Sequence, residues 1–253
     1  MATKITLHWL EQSRSQRIFW LLEECKDVNY DVKVYKRGKD MLAPPELKQA
    51  HPLGKSPVIE VTSPAAEKPI VIGESGNITE YICDYYAQHL VPKRYHEGKE
   101  NQVGGETEGW LRHRFFMHYA EGSIMPLRLM SFVFENVRDG PEVPFFVKPI
   151  TRAIVSKVNA MFLDRNFKTN FDFLESQLAT SPDNGEYLCG KDLMASDILM
   201  SFPLIACKDK IDTSKYPKLT AYIQRLESNE VYIRSTKKIE ELSGAPFKAL
   251  LGP

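Results

Sequence analysis

The spacing of apolar positions changes period once along this chain, and that change divides it. Residues 4–10 (KITLHWL) form a short apolar run that predicts a buried strand. Residues 15–27 place Ile18, Phe19, Leu21, Leu22 and Cys25 on one stripe, with Glu23, Glu24 and Lys26 off it, which predicts an amphipathic helix. Tyr30-Asp31-Val32-Lys33-Val34-Tyr35 alternates in the manner of a half-buried strand. Strand, helix and strand within 35 residues make the smallest parallel crossover. The polar, proline-bearing residues 36–50 predict a loop with a short helix around Pro45–Gln49. Two β-rich runs, 58–61 and 70–72, flank the turn-forming segment 63–69 and predict an antiparallel hairpin. A helix from Ser75 to about Gln88 follows, with Ile78, Tyr81, Ile82 and Tyr85 in phase.

Residues 89–105 (HLVPKRYHEGKENQVGG) are polar and rich in turn formers, as an interdomain connection would be. Beyond them the two-residue period nearly vanishes. Helices are predicted over 105–135, 150–180, 195–207, 216–227 and 229–242. Between the first two lies 139–149 (DGPEVPFFVKP), whose three prolines argue for a loop excursion. The pattern therefore predicts an α/β domain over residues 1–88, a linker over 89–104 and an all-helical domain over 105–253.

Composition narrows the function classes. With 253 residues, 43% of them hydrophobic and 26% charged, the chain has enough apolar surface for a sizeable core. Its 33 basic and 33 acidic residues cancel, which removes the long-range electrostatic argument for nucleic acid or an anionic membrane as partner. No run of 18 apolar residues predicts a membrane span, and Met1-Ala2-Thr3-Lys4 lacks a secretory apolar region, so a cytoplasmic location is expected. Cys25, Cys83, Cys189 and Cys207 are scattered, with no metal-ligand spacing, and are expected to be reduced and mostly buried. His8, His51, His113 and His118 form no pattern suited to a metal or a hydrolytic triad. No metal is expected.

Candidate chemistry concentrates in the first domain. Ser13 stands at the end of a strand and the start of a helix, where a hydroxyl can cap the helix or donate to an anion held at its positive end. Ser56-Pro57 opens a strand, and X-Pro bonds are the ones that adopt cis at low cost. Glu74-Ser75 pairs an acid with a hydroxyl at another helix start, an arrangement suited to an ammonium and a carboxylate respectively, while Ser75 is also a good N-cap.

Four stretches in order carry a resemblance: Ser13–Glu24 (SRSQRIFWLLEE), Ala43–Glu60 (APPELKQAHPLGKSPVIE), Glu74–Ile82 (ESGNITEYI) and Ser196–Leu204 (SDILMSFPL). On these the chain resembles the cytosolic glutathione transferases over nearly its whole length, most of all their fungal and bacterial serine-type branch. The resemblance implies a thioredoxin-like N-terminal domain that binds glutathione, followed by a helical-bundle domain that contributes the electrophile site. It implies conjugation of glutathione thiolate to hydrophobic electrophiles, with glutathione-dependent peroxide reduction as a side activity. Glutathione would be a co-substrate and the protein a homodimer. A non-catalytic binding or regulatory protein of the same fold is the alternative.

Under that resemblance Ser13 is the thiolate stabiliser, with Ser15 and Arg14 as alternatives. A thiol with a pKa of about 8.5 is only a few per cent ionised at neutral pH, and lowering that pKa by one unit takes about 1.4 kcal/mol, within reach of one hydroxyl and a helix dipole. No Tyr or Cys falls between Leu10 and Arg17, which sets the chain apart from the tyrosine and cysteine types. Pro57 would be cis, with the Ser56 backbone pairing the peptide's cysteinyl unit. Lys55 would meet a carboxylate, Glu74 the ammonium and Ser75 the γ-glutamyl carboxylate; Arg37 or Lys39 is a further candidate. Phe115, Tyr119 and Met125, with Trp110 and Phe116, are candidates for the electrophile wall, and equally for ordinary bundle core. Phe145-Phe146 would serve a lid or a dimer contact. Asp197 is assigned to folding: relatives use a Ser/Thr-x-x-Asp box, and here Met194 stands at the hydroxyl position, leaving Ser196 or Asp192 to cap.

Overall fold

A computed structural model describes residues 2–248. The first part is β1 (Lys4–Leu10), α1 (Ser15–Glu24), β2 (Tyr30–Tyr35), α2 (Leu47–Ala50), β3 (Val58–Thr62), β4 (Ile70–Gly73) and α3 (Ser75–Tyr85). The strands form one mixed sheet in the order β2-β1-β3-β4, parallel between β1 and β2 and antiparallel elsewhere. Central β1 sets Leu7 opposite Val32 and Ile59. Its alternate residues Ile5, Leu7 and Trp9 are buried with Phe19, Ile78 and Ile82 of α1 and α3, so one sheet face is sealed by both helices. On the opposite face His8 is held by a 2.8 Å hydrogen bond between Nδ1 and the Tyr35 hydroxyl.

The rest is helical: α4 (Glu108–Tyr119), α5 (Met125–Asp139), α6 (Lys148–Val158), α7 (Asp164–Ala179), α8 (Ala195–Ala206), α9 (Pro217–Glu227) and α10 (Glu230–Ser243). Thr107 caps α4, its side chain accepting from Trp110 N, and Asn229 caps α10. The helix expected over 105–135 is interrupted by a π-turn at Ala120–Ile124. Pro126, at the start of α5, explains the break: it has no N–H to give, and its ring would meet the carbonyl four residues back in an unbroken helix. A second π-turn, Asn159–Leu163, divides the helix expected over 150–180, and nothing in the local sequence explains it. α3 ends three residues earlier than expected, and Gln88–Leu90 forms a short 3-10 turn instead.

Asp197 caps α8 in place of Ser196 or Asp192. Its Oδ2 accepts from Met194 N at 2.8 Å, and its Oδ1 accepts from Leu188 N and the Tyr222 hydroxyl at 3.1 and 2.7 Å. The carboxyl is fully buried, and burial pushes its pKa up to about 6 against the pull of those donors. One continuous core joins the two parts, because α1 faces both. Trp20 of α1 stacks near Tyr232 of α10, and Gln16 Nε2 donates to Ser235 Oγ at 3.1 Å.

Candidate active site

A cleft of about 310 Å³ opens between the sheet's C-terminal edge and α5. Leu10, Gln12, Ser13, Arg14, Lys55 and Ser56 line one side, and Met125, Arg128, Leu129, Phe132 and Phe202 the other. Lys55 is shared with a second hollow bounded by His51, Pro57, Gly73, Glu74 and Asn77. The sequence candidates Ser13, Arg14, Lys55, Ser56, Pro57, Glu74 and Met125 thus meet along one continuous surface.

The turn after β1 separates the two serines. Ser15 begins α1 and is fully buried; its Oγ donates to Leu10 O at 3.0 Å and accepts from Leu10 N at 3.1 Å. Ser13 lies one layer out, in the cleft wall, with its Oγ 2.6 Å from Ser15 Oγ and 2.8 Å from Leu10 O. Ser15 N donates to Ser13 Oγ at 3.2 Å, so the hydroxyl also takes up a backbone donor of the helix start. Leu10 O accepts from both hydroxyls, so an anion in the cleft can compete for the Ser13 proton while Ser15 still satisfies that carbonyl. No acidic residue of α1 itself occupies its first turn, so the helix presents its positive end there, with Glu121 engaged by Arg14 and Arg17.

The Ser56–Pro57 peptide is cis. Ser56 Oγ donates to His8 O at 2.7 Å, while the Ser56 backbone N–H and C=O have no partner among the described residues. Glu74 takes a left-handed backbone, φ 66°, a conformation that costs a non-glycine residue of order 1–3 kcal/mol and persists only where the surroundings enforce it. Ser75 does not cap α3, as Glu74 occupies the cap position. Ser75 is buried at the first helical residue, and its Oγ accepts from Arg17 Nη2 at 2.5 Å.

Arg17, 1% exposed, ties the site together. Its Nη2 also donates to Glu121 Oε1 at 2.5 Å, and its Nη1 donates to Leu199 O at 2.8 Å. That carbonyl is available because Pro203, four residues on in α8, has no N–H to offer it. Burial pulls the Arg17 pKa down and Glu121 opposes it. Glu121 sits in the first π-turn and accepts from Arg14 Nε through both oxygens, at 3.0 and 2.8 Å. Arg37 braces the turn after β1, donating to Glu11 O and Gln12 O at 3.2 and 3.1 Å. Lys39 does not line the cleft.

Two expected members of the electrophile wall lie elsewhere. Phe115 and Tyr119 pack on each other and on Phe173 of α7, with centroids 5.4 to 5.5 Å apart, and the Tyr119 hydroxyl donates to Asn170. On α4 they pack toward α7, with Phe115 half-exposed at the edge of that cluster, whereas Met125, just past the π-turn, reaches the cleft. Trp110 and Phe116 are absent from the wall as well. Phe145 and Phe146 are exposed and do not line it. Glu121, Arg128, Leu129, Phe132 and Phe202 were not singled out from the sequence, and Arg17 entered only as part of the Ser13–Glu24 stretch. A signal existed for Arg17, which stands one and two turns before Leu21 and Cys25 on the apolar stripe of α1. Met125, Arg128, Leu129 and Phe132 are spaced as one helix face, but only the π-turn sets its direction.

The remaining titratable groups are structural. All four cysteines are free, and burial pushes the thiols of Cys25, Cys83 and Cys207 up to about 12, so none is poised as a nucleophile. Burial brings His113 down to about 4, and its Nδ1 pairs with Ser196 Oγ at 3.1 Å. Among the described residues no group of three or more His, Cys, Asp or Glu is placed to hold a metal, and no helix is long and apolar enough to cross a membrane.

Comparison with known proteins places this geometry. Residues 13–84 match the family model for the glutathione S-transferase N-terminal domain. Glutathione S-transferase 1 of Saccharomyces cerevisiae is 32% identical over 240 residues, which is 94% of this chain and 96% of the yeast protein. The chain belongs to the glutathione S-transferase family. Glutathione S-transferase 3 of Schizosaccharomyces pombe is 30% identical over 94% of this chain and 88% of its own length. The fold matches a glutathione S-transferase crystal structure from Actinobacillus pleuropneumoniae, TM-score 0.65 at 24% identity over 97% of this chain and 95% of that one. It also matches Ure2p5 of Phanerochaete chrysosporium, cocrystallised with 1-(S-glutathionyl)-2,4-dinitrobenzene, TM-score 0.63 at 15% identity over 96% and 98% of the two chains. In family terms the sheet with α1–α3 is the thioredoxin-like domain, and α4–α10 form the helical domain.

Proposed function

We propose that this glutathione S-transferase family member joins the sulfur of glutathione to apolar electrophiles, with Ser13 holding the thiolate. One observation carries this reading: of the two hydroxyls at the turn, Ser13 faces the cleft and Ser15 stands behind it as a second donor. Among the described residues the cleft wall contains Arg14, Arg37, Lys55 and Arg128 and no carboxylate; Glu121 and Glu135 behind it neutralise Arg14 and part of Arg128, and the cations that remain favour an anionic sulfur. The thiol proton leaves to solvent, the sulfur bonds to the electrophilic carbon, and the leaving group departs with its electron pair.

The tripeptide fits the polar side. The unpaired Ser56 backbone suits an extended cysteinyl unit, in the way an added strand pairs with a sheet edge. Lys55 suits the glycyl carboxylate. Glu74 suits the γ-glutamyl ammonium, and Ser75 with the first N–H groups of α3 suits its carboxylate. Arg17 positions Ser75 from behind and at the same time ties it to Glu121 of the helical part. A non-catalytic scaffold would not require this ordered set. A division at residues 89–104 and a homodimer belong to the same proposal, and light scattering of the purified protein tests the dimer.

The test compares two alanine variants with 1-chloro-2,4-dinitrobenzene. Ser13→Ala should lower kcat/KM about 100-fold, the cost of one preorganised donor at a developing anion, and move the pH–rate midpoint upward. Ser15→Ala should cost less and leave that midpoint closer to the parent. Equal midpoints in the parent and Ser13→Ala would refute the assignment of Ser13.

A further inference from the structure

Resting on the proposed transferase reading, we infer that the electrophile side of the cleft is built for substrates that pair an apolar body with an anionic group, and that Arg128 recognises the anion. Arg128 stands on the cleft face of α5 with Met125, Leu129 and Phe132, at the spacing that puts four side chains on one helical stripe. It is 8% exposed, so the wall holds a buried cation among apolar groups. A buried guanidinium is costly unless its donors are taken.

The donors are taken in part. Nε donates to Ala206 O at 2.7 Å, a carbonyl at the open C-terminal end of α8. Nη1 lies 3.5 Å from Glu135 Oε2, a long contact. Glu135 has stronger claims on it: Lys210 Nζ at 2.6 Å and Ser131 Oγ at 2.9 Å both meet its other oxygen. Nη2 has no hydrogen bond among the described residues, and the guanidinium carbon lies 5.9 Å from the Phe132 ring centre. The arginine is anchored at Nε, weakly neutralised at Nη1 and open at Nη2, on a wall that is otherwise apolar. The other cations differ: Arg14 is committed to Glu121, Arg37 braces the turn, and Lys55 lies on the glutathione side. Arg128 is the cation left for the second substrate. A carboxylate is the anion that best matches its planar donor edge.

The test uses a matched pair of electrophiles, 4-chloro-3,5-dinitrobenzoate and its neutral amide. Each kcat/KM is divided by the uncatalysed rate with glutathione, which removes the electronic difference between the two. The parent protein should favour the acid about tenfold, as expected for one charge-assisted hydrogen bond in a half-open cleft. Arg128→Met should bring the ratio to about one, and Arg128→Lys should restore part of it. Glu135→Gln removes the competing carboxylate and should raise the preference. Should Arg128→Met lose its cooperative melting transition, Glu135→Gln carries the test alone. A binding arm separates this inference from the catalytic reading: calorimetric titration of 3,5-dinitrobenzoate against 3,5-dinitrobenzamide needs no turnover. Preferential binding of the acid, lost in Arg128→Met, supports the inference even where conjugation fails and the transferase reading falls. Equal treatment of acid and amide by the parent protein, or a preference unchanged in both Arg128→Met and Glu135→Gln, overturns it.

Discussion

The two walls of the cleft are made differently. The α/β wall draws its polar groups from short contiguous stretches: the turn at Ser13–Ser15, the Lys55–Pro57 strand entry and the Glu74–Ser75 helix start. The first is held by backbone within a few residues, Leu10 O and Ser15 N fixing Ser13, while Ser56 Oγ is held by His8 O of β1 and Ser75 Oγ by Arg17 of α1. The helical wall takes single side chains from α5 and α8, and their direction depends on helix phase and on a π-turn. A wall made of local turns keeps its chemistry when the surrounding packing varies. A wall made of helix faces can change its substrate by a small rotation. Generic handling of the peptide and selective handling of the electrophile follow from that difference.

The strongest way to break the comparison is to cut a buried residue that serves both walls. Arg17→Met removes a buried cation, leaves Ser75 Oγ and Leu199 O without the donor they share, and leaves Glu121 with Arg14 alone. Stripping one partner from a fully buried ion pair costs about 3–5 kcal/mol; Glu121 is partly exposed and keeps Arg14, so chemical denaturation should show a smaller loss, of about 2–3 kcal/mol. Glutathione affinity, measured by calorimetry, should fall with it because Ser75 loses its support. An unchanged affinity would mean that the α/β wall stands without the helical part.

A second test concerns the helical part alone. The Asp197 carboxyl has its pKa raised to about 6 in the folded protein, chiefly by burial, so folding favours its protonated form. Its contribution is greatest below the unfolded carboxylate value of about 4 and is lost as pH rises toward 6, a total of about 3 kcal/mol. Denaturant titrations between pH 4 and 7 should show stability declining across that window in the parent, on top of other titrations, and no such component in Asp197→Asn. The transferase pH–rate profile should not follow it, because Asp197 lies in the α8 cap and not in the cleft.

How much could be read from the chain differs between the walls for the same reason. Strands 4–10 and 30–35, the hairpin and α1 show their period directly, since each covers one buried face. Ser13, Lys55, Ser56, Pro57 and Glu74 share a surface because the turns that carry them are local. Phe115 and Tyr119 failed as wall residues because helix periodicity tells which residues share a face and not which neighbour that face meets. The break at Pro126 was written in the chain, but its consequence, α5 turned to present Arg128 and Phe132, is tertiary. Ser75 looked like a cap because hydroxyls favour helix starts. A buried guanidinium from another helix took its oxygen instead.

The gentlest prediction separates wall from bundle by two phenylalanines. Phe132 borders the cleft one turn beyond Arg128, while Phe115 packs on Tyr119 and Phe173. Phe132→Ala removes apolar surface offered to the electrophile, so KM for 1-chloro-2,4-dinitrobenzene should rise about tenfold, the lower end of the effect of a lost contact in an apolar pocket because this cleft is half open. Its KM for glutathione should move far less, because the peptide lies on the opposite wall. Phe115→Ala should show the reverse division: an electrophile KM near the parent value and a stability loss of about 1–2 kcal/mol from the broken aromatic cluster. If Phe115→Ala raised the electrophile KM as much as Phe132→Ala, the substrate would reach past α5 to α4, and the face set by the π-turn would not be what selects it.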